Sequence, residues 1–164
     1  MIALGFLLLA AQPAPAQTLA PELQPLAFLV GSCWRTTMGN GHVTDTHCFT
    51  SMYGGRFVRD RHRLTGADYA GETIYRWDSG ARQIRFDYYQ SQGLIIRGTA
   101  APAPQGLAFE LSIPLADPPT QMRGTWTRDG DDAYVVSQEI RSGDSWRPVA
   151  ERPRFVRVSA APAD

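Results

Sequence analysis

The sequence predicts an all-β protein: a single antiparallel, up-and-down β-barrel of about ten strands, preceded by a short N-terminal helical turn. From residue 31 onward, turns rich in glycine, proline and aspartate recur at short, regular intervals, which is typical of barrels and sandwiches. Between the turns, apolar and polar residues alternate, most clearly over residues 107–113, as in strands with one buried face. A closed barrel leaves no exposed sheet edge, so we favour it over a sandwich.

The N-terminal residues predict export. Residues 2–11 form an apolar run that is too short to span a bilayer but has the length of a secretory h-region. Ala14-Pro15-Ala16 supplies a small-residue cleavage site, although no basic residue precedes it. We therefore assign residues 1–16 to a signal peptide cleaved near Ala16, and expect a periplasmic or extracellular protein.

Residues 17–30 are predicted to form a short helical lid over one end of the barrel. Leu23, Leu26 and Leu29 recur at helical spacing, and Pro25 limits the length of any helix. Residues 31–158 then form the barrel, and residues 159–164 a disordered tail.

The first barrel hairpin is predicted to turn at Asn40-Gly41, because a two-residue type I′ turn requires positive φ at both central residues. This register places Cys33 opposite Cys48. Two facing cysteines in an exported protein favour a disulfide. Closing a loop of roughly 15 residues contributes about 3 kcal/mol to stability in the chain-entropy model.

The second hairpin is predicted to turn at Gly54-Gly55 for the same reason. Its register places His47 opposite His62, while the first hairpin places His47 opposite Trp34. Side chains alternate across a strand, so every residue of the three strands is assigned to one face. The outer face carries the two cysteines and an arginine stripe, Arg59, Arg61 and Arg63.

The inner face of these strands is apolar except for one polar group. Asp45 and His47 lie two residues apart, as do Asp60 and His62, so all four side chains point into the barrel. We name these four residues the His/Asp cluster. The candidate ligand-binding residues are this cluster and three aromatic residues: Trp34, Asp45, His47, Asp60, His62, Phe86 and Tyr88.

The rest of the chain continues as strands and turns. We predict strands over residues 72–78, 82–90, 94–100, 107–113, 120–128 and 133–141, and a last strand ending near Val158. Pro102 and Pro104 mark a loop. Pro148 and Pro153 weaken the last strand, because proline cannot donate to the hydrogen-bond ladder, so part of it is expected at a bulge or an edge.

The segment that ends in Gly31-Ser32-Cys33-Trp34 resembles the first strand of the calycin-like barrels, which include lipocalins, fatty-acid-binding proteins and nitrobindins. The segments 53–57 (YGGRF) and 75–78 (YRWD) resemble later strands of a secreted bacterial lipocalin-like family with no assigned activity. The resemblance implies a ten-stranded barrel with a tryptophan near its closed end. Nitrobindin-like relatives bind haem through a late histidine, but this chain has no histidine after His62, so haem is not expected.

The His/Asp cluster has four interpretations, in decreasing order of preference: a structural hydrogen-bonded network, an anchor for a ligand, a divalent metal site and a catalytic acid–base pair. We assign no catalytic residue, no metal ion and no cofactor. Asp129-Gly130-Asp131-Asp132 is half of a calcium loop without the glutamate that would complete it, so we interpret it as a hairpin turn.

The predicted function is binding of a small apolar or amphipathic ligand inside an exported, monomeric barrel. The alternatives are an enzyme that uses the His/Asp cluster, and a barrel whose interior is simply filled. The chain has 16 basic and 16 acidic residues, and this balance argues against a general binder of nucleic acid or of anionic membranes.

Overall fold

Antiparallel strands joined by short loops make up most of residues 18–158, the part of the chain that the computed structural model describes. The predicted signal peptide and the predicted tail lie outside these residues. A short 3₁₀ helix, Pro21–Leu26, precedes the strands. The strands are β1 Ser32–Met38, β2 Val43–Met52, β3 Phe57–Thr65, β4 Tyr69–Asp78, β5 Gln83–Gln90, β6 Ile95–Ala103, β7 Gly106–Ile113, β8 Thr120–Arg128, β9 Ala133–Ser142, β10 Ser145–Pro148 and β11 Arg154–Val158.

The strands close into a barrel of up-and-down hairpins. Each strand from β1 to β9 pairs with the next, and β11 joins β9 to β1. Ten strands therefore form the closed wall, while β10 pairs only with the far half of β9. The prediction of an all-β, up-and-down antiparallel barrel of about ten strands with a short N-terminal helical turn is confirmed.

The predicted last strand is divided into β10 and β11. Both pair with β9, β10 along residues 139–142 and β11 along residues 133–135. Pro148 ends β10, and Pro153 immediately precedes β11, where its carbonyl accepts a hydrogen bond from Val136 N–H. The expectation that part of this strand lies at an edge is met, because β10 pairs only with β9. Pro102 was wrongly predicted in a loop, because β6 continues through it to pair with Leu107 near the strand end, where a proline is tolerated.

The first two loops differ in length from the prediction, but the register is as predicted. Met38 is the last residue of β1 to pair, with Val43, and Met52 pairs with Phe57. Each loop is thus four residues long instead of two. Both loops are centred on the predicted turns, so every pairing between β1, β2 and β3 is unchanged.

The disulfide between Cys33 and Cys48 is confirmed. The two residues are Cα partners of β1 and β2, and their Cα atoms are 4.1 Å apart. They lie on the outer face of the barrel, directly beside the inward-facing pair of Trp34 and His47. The crosslink therefore fixes the ribbon that carries both the closed end and the His/Asp cluster.

One end of the barrel is closed by the 3₁₀ helix and filled with apolar side chains. Leu23, Leu26 and Leu29 are fully buried, and the indole N–H of Trp34 donates to the Leu29 carbonyl at 3.1 Å. The buried side chains at this end, which we name the closed end, are Trp34, Phe49, Val58, Tyr75, Ile84, Phe86, Leu107, Phe109, Tyr134, Val136 and Phe155.

Side chains at the opposite end of the barrel are more exposed to solvent. The inward-facing side chains at this end have the same strand parity as the closed-end residues, yet most of them are only half-buried; Ile96, the Cα partner of Tyr88, is buried. We name these side chains the mouth: Leu64, Tyr69, Tyr88, Ile96, Leu111, Ile113, Met122 and Ile140. Within residues 18–158, no helix has the length and hydropathy that crossing a bilayer requires.

Candidate functional site: the His/Asp cluster

The His/Asp cluster is built by β2 and β3. His47 and His62 are direct Cα partners, and Asp60 is the partner of Phe49, one step nearer the closed end. Asp45 is opposite Leu64, one step nearer the mouth. The two predicted turns thus bring all four cluster residues together on the inner wall.

His47 lies between the two carboxylates. Its Nδ1 is 2.7 Å from Asp60 Oδ2, and its Nε2 is 3.1 Å from Asp45 Oδ2. The other oxygen of Asp45 is 3.2 Å from His62 Nδ1. The two imidazole rings stack, with centroids 4.5 Å apart. Asp45 therefore contacts both histidines, one through each carboxylate oxygen.

Two tyrosines extend the network towards the mouth. His62 Nε2 is 2.7 Å from the Tyr88 hydroxyl, which in turn is 2.5 Å from the Tyr69 hydroxyl. Tyr88 was among the predicted site residues, but Tyr69 was not. The pairing of β3 with β4, which sets Tyr69 opposite Leu64, would have found it, but that turn has no two-residue glycine pattern.

Gly71 is what allows His62 and Tyr88 to meet. It is the Cα partner of His62, and a Cβ atom built on it would lie 2.3 Å from Tyr88 Cε2 and 2.8 Å from His62 Nε2. Any side chain at this position would push the His62 imidazole and the Tyr88 hydroxyl apart. Gly71 was not among the predicted site residues, because a glycine adds nothing to a pattern of apolar and polar residues.

The charges in the cluster reinforce one another. Burial alone would lower the pKa of His47, but the charge of Asp60 and the hydrogen bonds that His47 donates to both carboxylates raise it to about 10. Burial would likewise raise the pKa of Asp45, but hydrogen bonds to His47 and His62 hold it well below its usual value. At neutral pH, His47 is therefore an imidazolium held by ionised carboxylates.

Asp60 is the most deeply buried charged side chain of the cluster, with 2% of its surface exposed. Its Oδ2 contacts His47, whereas Oδ1 has no hydrogen-bond partner among residues 18–158. Its charge also adds to the effect of burial in raising the pKa of Tyr75 and Tyr134 above the usual range. Asp60 therefore adds buried negative charge to the cluster, and only one of its two carboxylate oxygens contacts His47.

Two of the predicted site residues belong to the closed end. Trp34 is opposite His47 along the ladder, but its ring packs against Tyr134 with centroids 5.2 Å apart. Phe86 is buried and its ring packs on Tyr75. Neither side chain contributes a polar contact to the cluster, so the structure places both in the apolar packing beneath it.

The outer face of the same strands forms a groove with a volume of about 780 Å³. The arginine stripe lines it, together with Arg35 and both cysteines of the disulfide. Arg61 and Arg63 are exposed, as expected for a solvated face, while Arg59 is half-buried. The groove and the His/Asp cluster therefore lie on opposite sides of one layer of strands.

The turn at Asp129-Gly130-Asp131-Asp132 connects β8 to β9, as the hairpin interpretation predicted. Each of its carboxylates contacts an arginine: Arg154 with Asp129, Arg128 with Asp131 and Arg157 with Asp132. These ion pairs give the acidic residues of the turn a structural role.

No family model matches this chain, and a search of curated proteins also finds no match. The closed ten-stranded antiparallel barrel is consistent with a calycin-like or lipocalin-like fold. The chemistry of the site is therefore argued from its own geometry.

Proposed function

We propose that this chain is an exported, monomeric, lipocalin-like barrel that binds a small apolar or amphipathic molecule through its mouth. One observation carries the proposal. Most inward-facing side chains at the closed end are buried, whereas most of those at the mouth are half-buried although they point into the same barrel; Trp126 at the closed end and Ile96 at the mouth are the exceptions. Half-buried inward side chains border space that solvent reaches, and an apolar ligand would displace that solvent.

The mouth combines apolar walls with a few polar groups, as ligand pockets commonly do. Leu111, Ile113, Met122 and Ile140 supply apolar surface on β7, β8 and β9. On the opposite wall, the hydroxyls of Tyr69 and Tyr88 supply hydrogen-bonding groups that are backed by His62. An amphipathic ligand fits this arrangement best, with its polar group at the tyrosines and its apolar part against β7–β9.

Export is supported by the disulfide and by the short apolar run at residues 2–11. The resemblance to a secreted bacterial lipocalin-like family supports the same proposal. Sixteen arginines and no lysine balance sixteen acidic residues, so we expect no nucleic acid partner and no anionic membrane partner.

The test is binding of a neutral fluorescent apolar probe, N-phenyl-1-naphthylamine, to the disulfide-intact protein in a chelating buffer. Saturable fluorescence enhancement is expected. Met122→Trp fills the mouth and should weaken probe binding about tenfold or more. Gln121→Trp is the matched control, because Gln121 is exposed on the outer face of the same strand; its affinity should equal that of wild type.

The proposal fails if the wild-type protein shows no saturable binding, or if the two tryptophan variants weaken binding equally. Native mass spectrometry of the freshly purified protein adds a direct observation. A co-purifying small molecule that Met122→Trp excludes and Gln121→Trp retains would support binding at the mouth.

A further inference from the structure

We propose that Asp45, His47 and His62 bind a divalent transition-metal ion. One ligand atom from each of these residues lies within 4.8 Å of the other two. Atoms that bind the same tetrahedral zinc ion at about 2.1 Å are about 3.4 Å apart. The widest of the three separations therefore has to shorten by up to about 1.4 Å, a movement that side-chain torsions on neighbouring strands can supply.

The ring nitrogens that do not face Asp45 are already engaged as in metal sites. A histidine that binds a metal almost always donates its other N–H to a carboxylate, carbonyl or similar acceptor. His47 Nδ1 is 2.7 Å from Asp60 Oδ2, and His62 Nε2 is 2.7 Å from the Tyr88 hydroxyl. These contacts hold both rings with their remaining nitrogen towards Asp45.

The hydrogen bonds remain complete when an ion is bound. His47 would donate from Nδ1 to Asp60, and His62 from Nε2 to Tyr88, which would donate onward to Tyr69. The ion would replace the hydrogens that His47 Nε2 and His62 Nδ1 direct at Asp45. The His47 Nε2 proton would pass to solvent, and His62 would carry its single ring proton on Nε2 instead of Nδ1. Neither imidazole then leaves an N–H unpaired, so the metal-bound arrangement has no unsatisfied donor in the rings.

The donor set selects the class of cation. Two imidazoles and one carboxylate suit zinc, cobalt, nickel or ferrous iron, whereas calcium and magnesium prefer sites made of oxygen atoms. The buried carboxylate of Asp60, with one oxygen lacking a partner in the described part of the chain, adds negative charge beside the ion. Three protein ligands also leave coordination positions open.

Solvent reaches the proposed ligands. The side chains of His47 and His62 keep 15% and 9% of their exposure, and that of Asp45 keeps 11%. The half-buried tyrosines of the mouth lie next to His62, so an ion has a route from solvent. This inference is independent of the proposed organic ligand, because it requires only the three side chains and their neighbours.

The experiment is a titration of the disulfide-intact, chelator-treated full chain with Co²⁺ alone, followed by visible absorption. Visible d–d bands that saturate at one equivalent per chain are expected, and Zn²⁺ should displace them. Asp45→Asn and His62→Gln should weaken binding by more than about hundredfold, since each removes a ligand. Asp60→Asn should weaken it by about ten- to hundredfold through the orientation of His47.

His42→Gln is the matched control, because His42 is the exposed third histidine of the chain and lies outside the cluster. It should bind Co²⁺ as wild type does. Near-UV circular dichroism establishes that each variant is folded before its affinity is compared. If a ligand variant does not fold, Asp60→Asn and the wild-type stoichiometry still decide the matter.

Absence of saturable Co²⁺ binding to the wild-type chain overturns the inference, as does binding that survives in folded Asp45→Asn and His62→Gln. Binding that is lost in His42→Gln would assign the ion to the surface and would also overturn it. The apolar probe is titrated in chelator and Co²⁺ is titrated without probe. The failure of one proposal is therefore distinguishable from the failure of the other.

Discussion

β2 and β3 carry hydrocarbon at one end of the barrel and charge in the middle, within a single inward-facing row of side chains. Phe49 and Val58 pack at the closed end with less than 2% of their surface exposed. His47 is two residues from Phe49, and Asp60 is two residues from Val58, both towards the middle of the barrel. Their side chains form an ionic hydrogen bond with each other. The closed end supplies apolar burial, and the cluster contains groups whose burial is unfavourable unless they are paired.

The two regions therefore differ in what stabilises them. The 3₁₀ helix and the aromatic side chains shield the closed end from water, so that its stability derives from packing. The cluster, by contrast, is held by specific hydrogen-bond partners, so removal of any one partner is expected to lower its stability. Packing stabilises the wall, and the wall in turn fixes the positions of the polar side chains.

The largest effect is expected at the closed end. Trp34 is 1% exposed, and its indole N–H bonds the Leu29 carbonyl. Trp34→Ala should lower the free energy of unfolding by about 3–5 kcal/mol, because it removes a large ring and leaves a cavity. Urea denaturation measures the loss. Trp34→Phe is the control: it keeps an aromatic ring and should cost clearly less, and equal losses would contradict a packing role.

Removing the disulfide tests whether this crosslink stabilises both the closed end and the His/Asp cluster. Replacing Cys33 and Cys48 together by serine should lower the unfolding free energy by about 3 kcal/mol, because the crosslink closes a loop of roughly 15 residues. Urea denaturation in the absence of reductant gives the value. The reduced wild-type protein should show the same loss, and a variant as stable as the oxidised wild type would rule out this support.

Gly71→Ala tests the polar half. The added Cβ would overlap Tyr88 and His62, so we expect a loss of about 1–3 kcal/mol, typical of overpacking. Gly80→Ala serves as the control, since its Cβ would meet only Asp78 Oδ1, at 3.5 Å. Thermal unfolding of both variants provides the comparison. A Gly71→Ala protein as stable as Gly80→Ala would show that β4 accommodates the added Cβ atom without loss of stability.

The register of β1–β3, and with it the disulfide and the His/Asp cluster, was predictable because two glycine turns fix the pairing on both sides of β2. Each loop is longer than predicted by one residue on each side of its turn. The predicted pairing of the strands is therefore correct although the predicted loop length is not. The edge position of part of the last strand was also predictable, since Pro148 and Pro153 are visible in the sequence and proline is confined to edges and bulges, whereas its division into two strands was not predicted.

The remainder of the site depends on contacts that a strand pattern does not contain. Tyr88 reaches His62 across β4, although the two residues are 26 positions apart in the chain, because the wall curves and Gly71 provides room. Tyr69 joins only once that curvature brings its hydroxyl to Tyr88. The resemblance implied the closed-end position of Trp34, but not that of Phe86, because alternation along a strand gives the face of a side chain and not the end of the barrel at which it lies.

The measurement that separates the two regions most cleanly is the dependence of stability on pH. His47 has a folded pKa raised to about 10, against 6.5 when unfolded. Its contribution to stability is therefore complete below about pH 6.5 and is lost as the pH rises through about 10. The closed-end tyrosines Tyr75 and Tyr134 have pKa values raised above their usual range, so they add no proton release in this window.

In chelating buffer, the unfolding free energy should fall by about 1.4 kcal/mol for each pH unit between pH 7 and pH 9, because the folded protein binds one more proton than the unfolded chain. The groups that face His47 are Asp45, Asp60 and His62, with Tyr88 beyond His62. His47→Gln should remove this slope, and His42→Gln should keep it. Should the imidazole of His47 titrate by NMR near pH 6.5 in the folded wild-type protein, the charged core of the cluster would be refuted.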